Sequence, residues 1–248
     1  MKRVLLLVGL GLFAVGLFIL LLTSNLRGLL NEMRLYQWGF ERYGISQAIG
    51  IPEQDLLRAA RKLVDYFNLK SDSPQVQVSR NGEEIKLFNQ RELAHLRDVR
   101  NLVQRCYQVQ WASLAYVLTY LVAGFIWLRR AFLSQMAKAF LFGGLLTILA
   151  LAAVGIWAAV DFESFFLAFH LTSFRNQLWL LDPTRDYLIA MFPEGFFFHT
   201  ALFLSGAVIV EAIILASASA VYLWRARGSS APTALATGGR AGGAGTAA

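Results

Sequence analysis

One cysteine, three histidines and five prolines in 248 residues leave little material for several kinds of chemistry. The lone Cys106 excludes an internal disulfide and any zinc cluster built on thiolates. No H-E-x-x-H spacing supports a metal site of the metalloprotease kind. There is no G-x-S-x-G elbow, no phosphate loop and no dinucleotide fingerprint. No repeat is visible between the apolar segments, and no repeated half or broken helix pair suggests a transporter. Charged residues are also scarce, at 16% against 56% hydrophobic, which is too apolar for an ordinary soluble domain.

What the chain has instead is four long apolar runs: residues 4–23, 109–128, 139–160 and 200–224. Crossing hydrocarbon takes about 20 apolar residues as a helix, and in lipid the backbone must satisfy its own polar groups, so these runs read as helices. The expected fold is an all-α polytopic membrane protein with a small α+β domain between helices one and two. An aromatic-rich segment lies between helices three and four. No small-x-small cleavage site follows the first run, which therefore reads as an anchor rather than a signal peptide. Residues 1–228 form one membrane unit. Residues 229–248, rich in Gly, Ala and Ser, form a tail expected to be disordered.

Charge sets the expected orientation. Lys2 and Arg3, then Arg129, Arg130 and Lys138, then Arg225 and Arg227 flank the helices on one side, which the positive-inside rule assigns to the cytoplasm. Residues 161–199 carry Asp161, Glu163, Asp182, Asp186 and Glu194 against Arg175 and Arg185. Segments 24–107 and 161–199 are therefore expected outside the plasma membrane, with both termini and the tail inside.

Within 24–107, Leu56, Leu57, Ala60, Leu63, Val64 and Phe67 mark a helical stripe. Pro52, Glu53 and Asp55 suit its N-terminus. Val76 and Val78 face Ile85 and Leu87 across Asn81-Gly82, a hairpin signature. A second helix follows, with Asn89 as cap and Glu92 as its reciprocal partner, and it can run straight into the second span. These helices can pack together, leaning on 161–199, or lie flat on the outer leaflet. In 161–199, Asp182-Pro183 reads as a turn and Pro193 as a helix stop. The density of Phe, Trp and Tyr there suits headgroup depth.

All three histidines fall in the outer segments: His95, His170 and His199. Imidazole is the side chain best suited to proton transfer near neutrality. Glu92 and Asp98 lie three residues either side of His95 and can share its face. Each histidine also has a plain reading: His95 as one polar residue of an amphipathic helix, His170 as an interfacial ring, His199 as packing at a span boundary. A metal site from His95, His170 and Asp98 is conceivable but lacks motif support. Glu211, in the middle of the fourth run, is costly there, which calls either for protonation or for a Ser, Thr or Tyr partner from a neighbouring helix.

Two stretches carry a family resemblance. One holds Leu87-Phe88, Arg91-Glu92, His95 and Asp98-Val99. The other runs from Phe169-His170 through Phe174, Asn176, Trp179, Leu181-Asp182-Pro183, Asp186 and Met191-Phe192-Pro193-Glu194 to Phe197. With the end of the first outer helix at Asp65-Tyr66-Phe67 and four spans, the chain resembles the bacterial lipoprotein intramolecular transacylase family. The resemblance implies transfer of the sn-2 acyl chain of a diacylglyceryl-cysteine to its α-amine, giving an N-acyl lyso-form lipoprotein. It implies that His95 and His170 are catalytic.

Glu92 or Asp98 would orient His95. Arg91, Arg97 or Arg175 would meet lipid phosphate or oxyanion, and Asn176 and Trp179 would line the site. The partners would be diacylglyceryl lipoproteins and membrane lipid, with no nucleic acid. The substrate brings its own nucleophile, an amine of pKa about 7.7–8.0, and ester-to-amide exchange runs downhill, so no cofactor or metal is implied. Two other readings use the same residues: a membrane lipid or lipoprotein hydrolase, and a non-enzymatic assembly or sensor protein.

Overall fold

A computed structural model describes residues 2–228. Its order is α1 (Lys2–Asn31), α2 (Met33–Arg42), α3 (Ile45–Ile49), α4 (Glu53–Phe67), β1 (Gln77–Arg80), β2 (Glu83–Lys86), α5 (Gln90–Leu128), α6 (Arg130–Val160), α7 (Phe162–Ser173), α8 (Tyr187–Met191) and α9 (Glu194–Gly228). The expected tail, 229–248, lies outside the described residues. Four helices are long and apolar enough to cross a membrane, α1, α5, α6 and α9, in a multi-pass arrangement.

The four long helices form a bundle in which α1 touches α5, α6 and α9, and α6 lies along α9. Apolar burial gives no drive for association in lipid, so small residues that allow close backbone approach matter more. Gly144 is such a point. A Cβ there would sit 2.9 Å from the Ala212 carbonyl oxygen and 3.0 Å from the Ala216 methyl. Glu211, also on α9, accepts a hydrogen bond from Asn25 Nδ2 on α1 at 2.8 Å, so the intramembrane carboxylate has a polar partner. That partner is the amide of Asn25 rather than a hydroxyl of Ser, Thr or Tyr.

Helix α5 has 39 residues, roughly 58 Å at 1.5 Å per residue, about twice a hydrocarbon core. Its first half carries Arg91, Glu92, Arg97, Asp98, Arg100 and Arg105, whereas residues 109–127 carry no charge. Only the second half is apolar enough throughout for hydrocarbon. The first half forms one wall of the second structural unit.

That unit is a core built from α2, α4, the hairpin, the start of α5, and the α8–α9 junction. Leu56, Ala60, Leu63, Val78, Leu87, Leu96 and Met191 are almost wholly enclosed in it. Burying the α4 stripe there answers the choice left by its amphipathic pattern: α4 packs on protein rather than lying on lipid. The hairpin pairs Val78 with Ile85, and Asn81 and Gly82 take positive φ of 50° and 90°, as a two-residue turn requires. Asp55 Oδ2 accepts from Ser79 N at 2.7 Å and ties the hairpin to the first turn of α4. At the junction with the bundle, Asn68 donates to Asn31 Oδ1 at 2.7 Å, and Tyr107 donates to Asn68.

Several boundaries differ from the sequence reading. Helix α1 continues to Asn31, because Leu29 and Leu30 find apolar neighbours in the second core. Helix α2 was not anticipated; its pattern buries Leu35, Tyr36, Gly39 and Phe40 on one face. Helix α6 begins at Arg130, leaving a single residue, Arg129 with φ 48°, between it and α5. Helix α9 begins at Glu194, directly after Pro193, so Phe196 to Phe198 belong to it.

Candidate functional site

His95 and His170 come from separate elements. His95 lies on the charged half of α5, whose start is fixed by a capping box. The Asn89 side chain accepts from Arg91 N and Glu92 N, and Glu92 Oε2 accepts from Asn89 N at 2.7 Å. His170 lies on α7, a helix of its own rather than a continuation of the third span. Asp161 leaves the helical conformation at φ −149° and its carboxylate caps Ser164 N at 3.0 Å, so the chain restarts there in a new direction.

The two imidazoles meet with ring centroids 6.4 Å apart, and both are buried. Phe174 stands edge-on to His95 at 5.1 Å. Around His170, Phe166 lies edge-on at 4.4 Å and the Trp179 indole lies against the ring at 4.8 Å. His170 Nδ1 is 2.8 Å from the Phe166 carbonyl oxygen. A carbonyl only accepts, so Nδ1 carries a hydrogen and the neutral ring presents Nε2 as an acceptor. His95 Nδ1 is buried and has no partner.

Electrostatics keep both rings neutral. Burial, reinforced by the neighbouring His170 and opposed by Asp98, pulls His95 from its ordinary value to about 4. Burial also lowers His170, against a raising contribution from its bond to Phe166. Desolvation penalises the charged form of each ring, and two such rings side by side cannot both hold a proton cheaply.

The acids near His95 are engaged elsewhere. Glu92 is fully buried; Oε1 accepts from Leu188 N at 2.6 Å and Oε2 completes the cap. Its two oxygens therefore join α5 to α8. Burial holds this carboxyl above the usual carboxylate range, with its backbone donors opposing and Asp186 adding to the rise. Asp98 accepts from Asn176 Nδ2 at 2.8 Å. No hydrogen bond joins either acid to His95 Nδ1.

Residues 174–181 form a strap from α7 back across α5. Arg91 Nη2 donates to the Gln177 carbonyl at 2.9 Å, Asn176 Oδ1 accepts from Leu178 N, and Trp179 Nε1 donates to the Asn176 carbonyl at 2.9 Å. Trp179 thus lies against His170, Arg91 and Asn176 hold the strap that carries it, and Arg97, Arg175 and Asn176 are exposed. Asn89 and Asp186 were not singled out as site residues, yet they anchor the strap's far end. Asp186, 3% exposed, accepts from Asn89 Nδ2 and from Asp182 N. In the sequence Asp186 registers as one acid among five and as a member of the second family stretch, neither of which shows its partners.

His199 sits apart from the pair. Its Nδ1 lies 2.8 Å from the Tyr43 hydroxyl and 2.9 Å from the Gly195 carbonyl, with its ring against Trp38 and Phe198. Among the described residues no cluster of three or more His, Cys, Asp or Glu side chains is arranged to hold a metal ion.

Fold and site together define a class: a multi-pass helical membrane protein that holds a buried, neutral imidazole pair against a small mixed domain. The chain belongs to the lipoprotein intramolecular transacylase (Lit) family, whose model matches residues 11–197. Its fold is similar to the in meso structure of the membrane integral Lit from Bacillus cereus. That likeness has TM-score 0.75 and 20% identity over 91% of this chain and 99% of that one. Two variants of the same Bacillus cereus protein, one histidine replaced by arginine or by alanine, match with TM-score 0.67 and 22% identity. They cover 92% and 93% of this chain and 95% and 96% of theirs. No curated protein matches the chain.

Proposed function

We propose that the chain is a lipoprotein intramolecular transacylase acting at the extracytoplasmic face of the bacterial plasma membrane, both termini being cytoplasmic. In the reaction, the α-amine of an N-terminal diacylglyceryl-cysteine attacks the sn-2 ester carbonyl of the same molecule. The carbon–oxygen bond to glycerol breaks, an amide forms and the glycerol oxygen takes up a proton. The product is an N-acyl lyso-form lipoprotein. Atoms balance without a co-reactant, and no covalent bond to the enzyme is needed.

The supporting observation is the 6.4 Å pairing of His95 with His170 in a chain of this family. His170 suits the base. Its Nδ1 hydrogen is committed to the Phe166 carbonyl, and its Nε2 lone pair is available to take the amine proton and return it to the glycerol oxygen. His95, with a pKa near 4, is a poor base at neutral pH. As a neutral ring it serves as a hydrogen-bond donor to the departing glycerol oxygen. Phe166, Phe174 and Trp179 exclude water, which favours amine attack over hydrolysis. Holding amine and ester together contributes the proximity effect. Asn176, Asp98 and Glu92 position the two rings through the strap and the α5 cap.

The test is conversion of a synthetic diacylglyceryl lipopeptide by the full chain in lipid. Intramolecular transfer leaves the intact mass unchanged while fragmentation locates the acyl group on nitrogen. Loss of one fatty acid from the intact mass would instead mean hydrolysis and would refute the proposal.

A further inference from the structure

Two buried side-chain polar atoms among the described residues have no hydrogen-bond partner, His95 Nδ1 and Arg91 Nε. They belong to residues four apart on α5, hence on one face of the helix. Buried polar groups in folded proteins are nearly always hydrogen-bonded, and an unpaired N–H on a charged group is costly. Two unpartnered donors one turn apart on the helix face that carries His95 mark a place where an acceptor from outside the chain can be received.

We infer that Arg91 is a catalytic residue, its Nε–H being the donor to the oxyanion formed when the amine adds to the ester carbonyl. This rests on the transacylase reading. The guanidinium is held in place by the Nη2 bond to the Gln177 carbonyl, in the same strap that sets Trp179 against His170. That bond fixes the guanidinium plane, so the enclosed Nε–H is a donor held in place with no acceptor from the chain. Of the three arginines considered for an anion, Arg97 and Arg175 are exposed and unsequestered, and only Arg91 is partly enclosed.

The substrate's diacylglyceryl-cysteine carries no phosphate, so the anion that appears in this pocket is the tetrahedral oxygen itself. A charge-assisted bond from a guanidinium is roughly twice as strong as one from a neutral donor, which suits Arg91 to the full negative charge. His95 is then left for the departing glycerol oxygen, and the three groups divide the proton, the oxyanion and the leaving group between them.

The test compares binding of two lipopeptide analogues to the full chain in lipid nanodiscs. One has the sn-2 ester replaced by an ether, which has no carbonyl. The other has it replaced by a phosphonate, tetrahedral and anionic. The native chain should prefer the phosphonate by at least about 100-fold, as transition-state analogues are preferred. Arg91→Gln should lose about 10²–10³-fold in phosphonate affinity, the usual effect of removing one oxyanion donor, and keep its ether affinity within about twofold. Arg91→Lys retains a cation able to reach the Gln177 carbonyl but has no Nε–H; it should show the same selective loss and decides the matter if the Gln variant does not fold. Equal weakening of both analogues would mean that Arg91 only holds the strap, and an undiminished phosphonate preference would mean that it does not meet the oxyanion. Either result overturns the assignment. Absence of any phosphonate preference in the native chain would instead bring down the transacylase reading itself.

Discussion

His95 and His170 stand 6.4 Å apart, ring centroid to ring centroid, although 75 residues and the whole of α6 separate them in the chain. The pairing depends on two breaks in helical continuity. Asn89 starts α5 so that His95 falls in its charged half, and Asp161 ends α6 so that α7 can turn His170 toward it.

Acid should weaken both activity and stability. With His95 near pKa 4 and His170 also lowered, both rings are neutral at pH 7. The unfolded chain takes up a proton on each ring near the ordinary value, about 6.5, and the folded chain does so only at lower pH. The unfolded state therefore binds more protons below pH 6.5, and stability falls as pH drops, the His95 contribution being fully lost below about 4. At its largest that contribution is on the order of 3 kcal/mol. Thermal melts of the native chain and His95→Gln between pH 4 and 7 should converge toward the acid end, the native chain losing more.

Glu92 should act on stability more than on chemistry. Its carboxylate holds the Asn89 and Leu188 amides at 2.7 and 2.6 Å. Glu92→Ala removes the acceptor of two part-buried amides, at up to about 1–3 kcal/mol each, whereas Glu92→Gln keeps one acceptor and should cost less. Chemical denaturation in detergent separates the two variants, with Ala the less stable.

Gly144 should tolerate no larger residue. A Cβ there meets the Ala212 carbonyl oxygen at 2.9 Å, and that backbone atom cannot swing aside. Gly144→Val should destabilise the α6–α9 contact by about 1–3 kcal/mol, in the range of overpacked cores, measurable as a lowered Tm of the detergent-solubilised protein.

Trp179 should matter through His170. Its indole lies 4.8 Å from that ring and is tethered by Nε1 to the Asn176 carbonyl. Trp179→Phe keeps the aromatic face but drops the tether, whereas Trp179→Ala opens the pocket to water. The Ala variant should show a larger share of fatty-acid release relative to transfer, readable from the ratio of the two products.

Much of this was legible from residue order, and the reasons differ by element. The four spans follow from length and apolarity alone. The α5 cap follows from Asn89 and Glu92 at capping-box spacing, and the hairpin from Asn81-Gly82 between alternating apolar residues. Helix α2 was not read, because its apolar positions are interleaved with Arg34, Gln37 and Glu41 directly after a hydrophobic run that masks its start. The independent α7 was missed because its sequence, FESFFLAFHLTS, is as apolar as the span before it and only Asp161 marks the break. Engagement of Glu92 by Leu188 joins residues 96 positions apart, which periodicity cannot register.

The central claim is tested most directly by single-turnover conversion of a diacylglyceryl lipopeptide, comparing the native chain with His95→Ala and His170→Ala after each is shown to be folded in the membrane. The account predicts N-acyl lyso-form product from the native chain and rates at least about 100-fold lower from each variant, the usual scale of a lost general acid or base. Full-rate conversion by either alanine variant would contradict it.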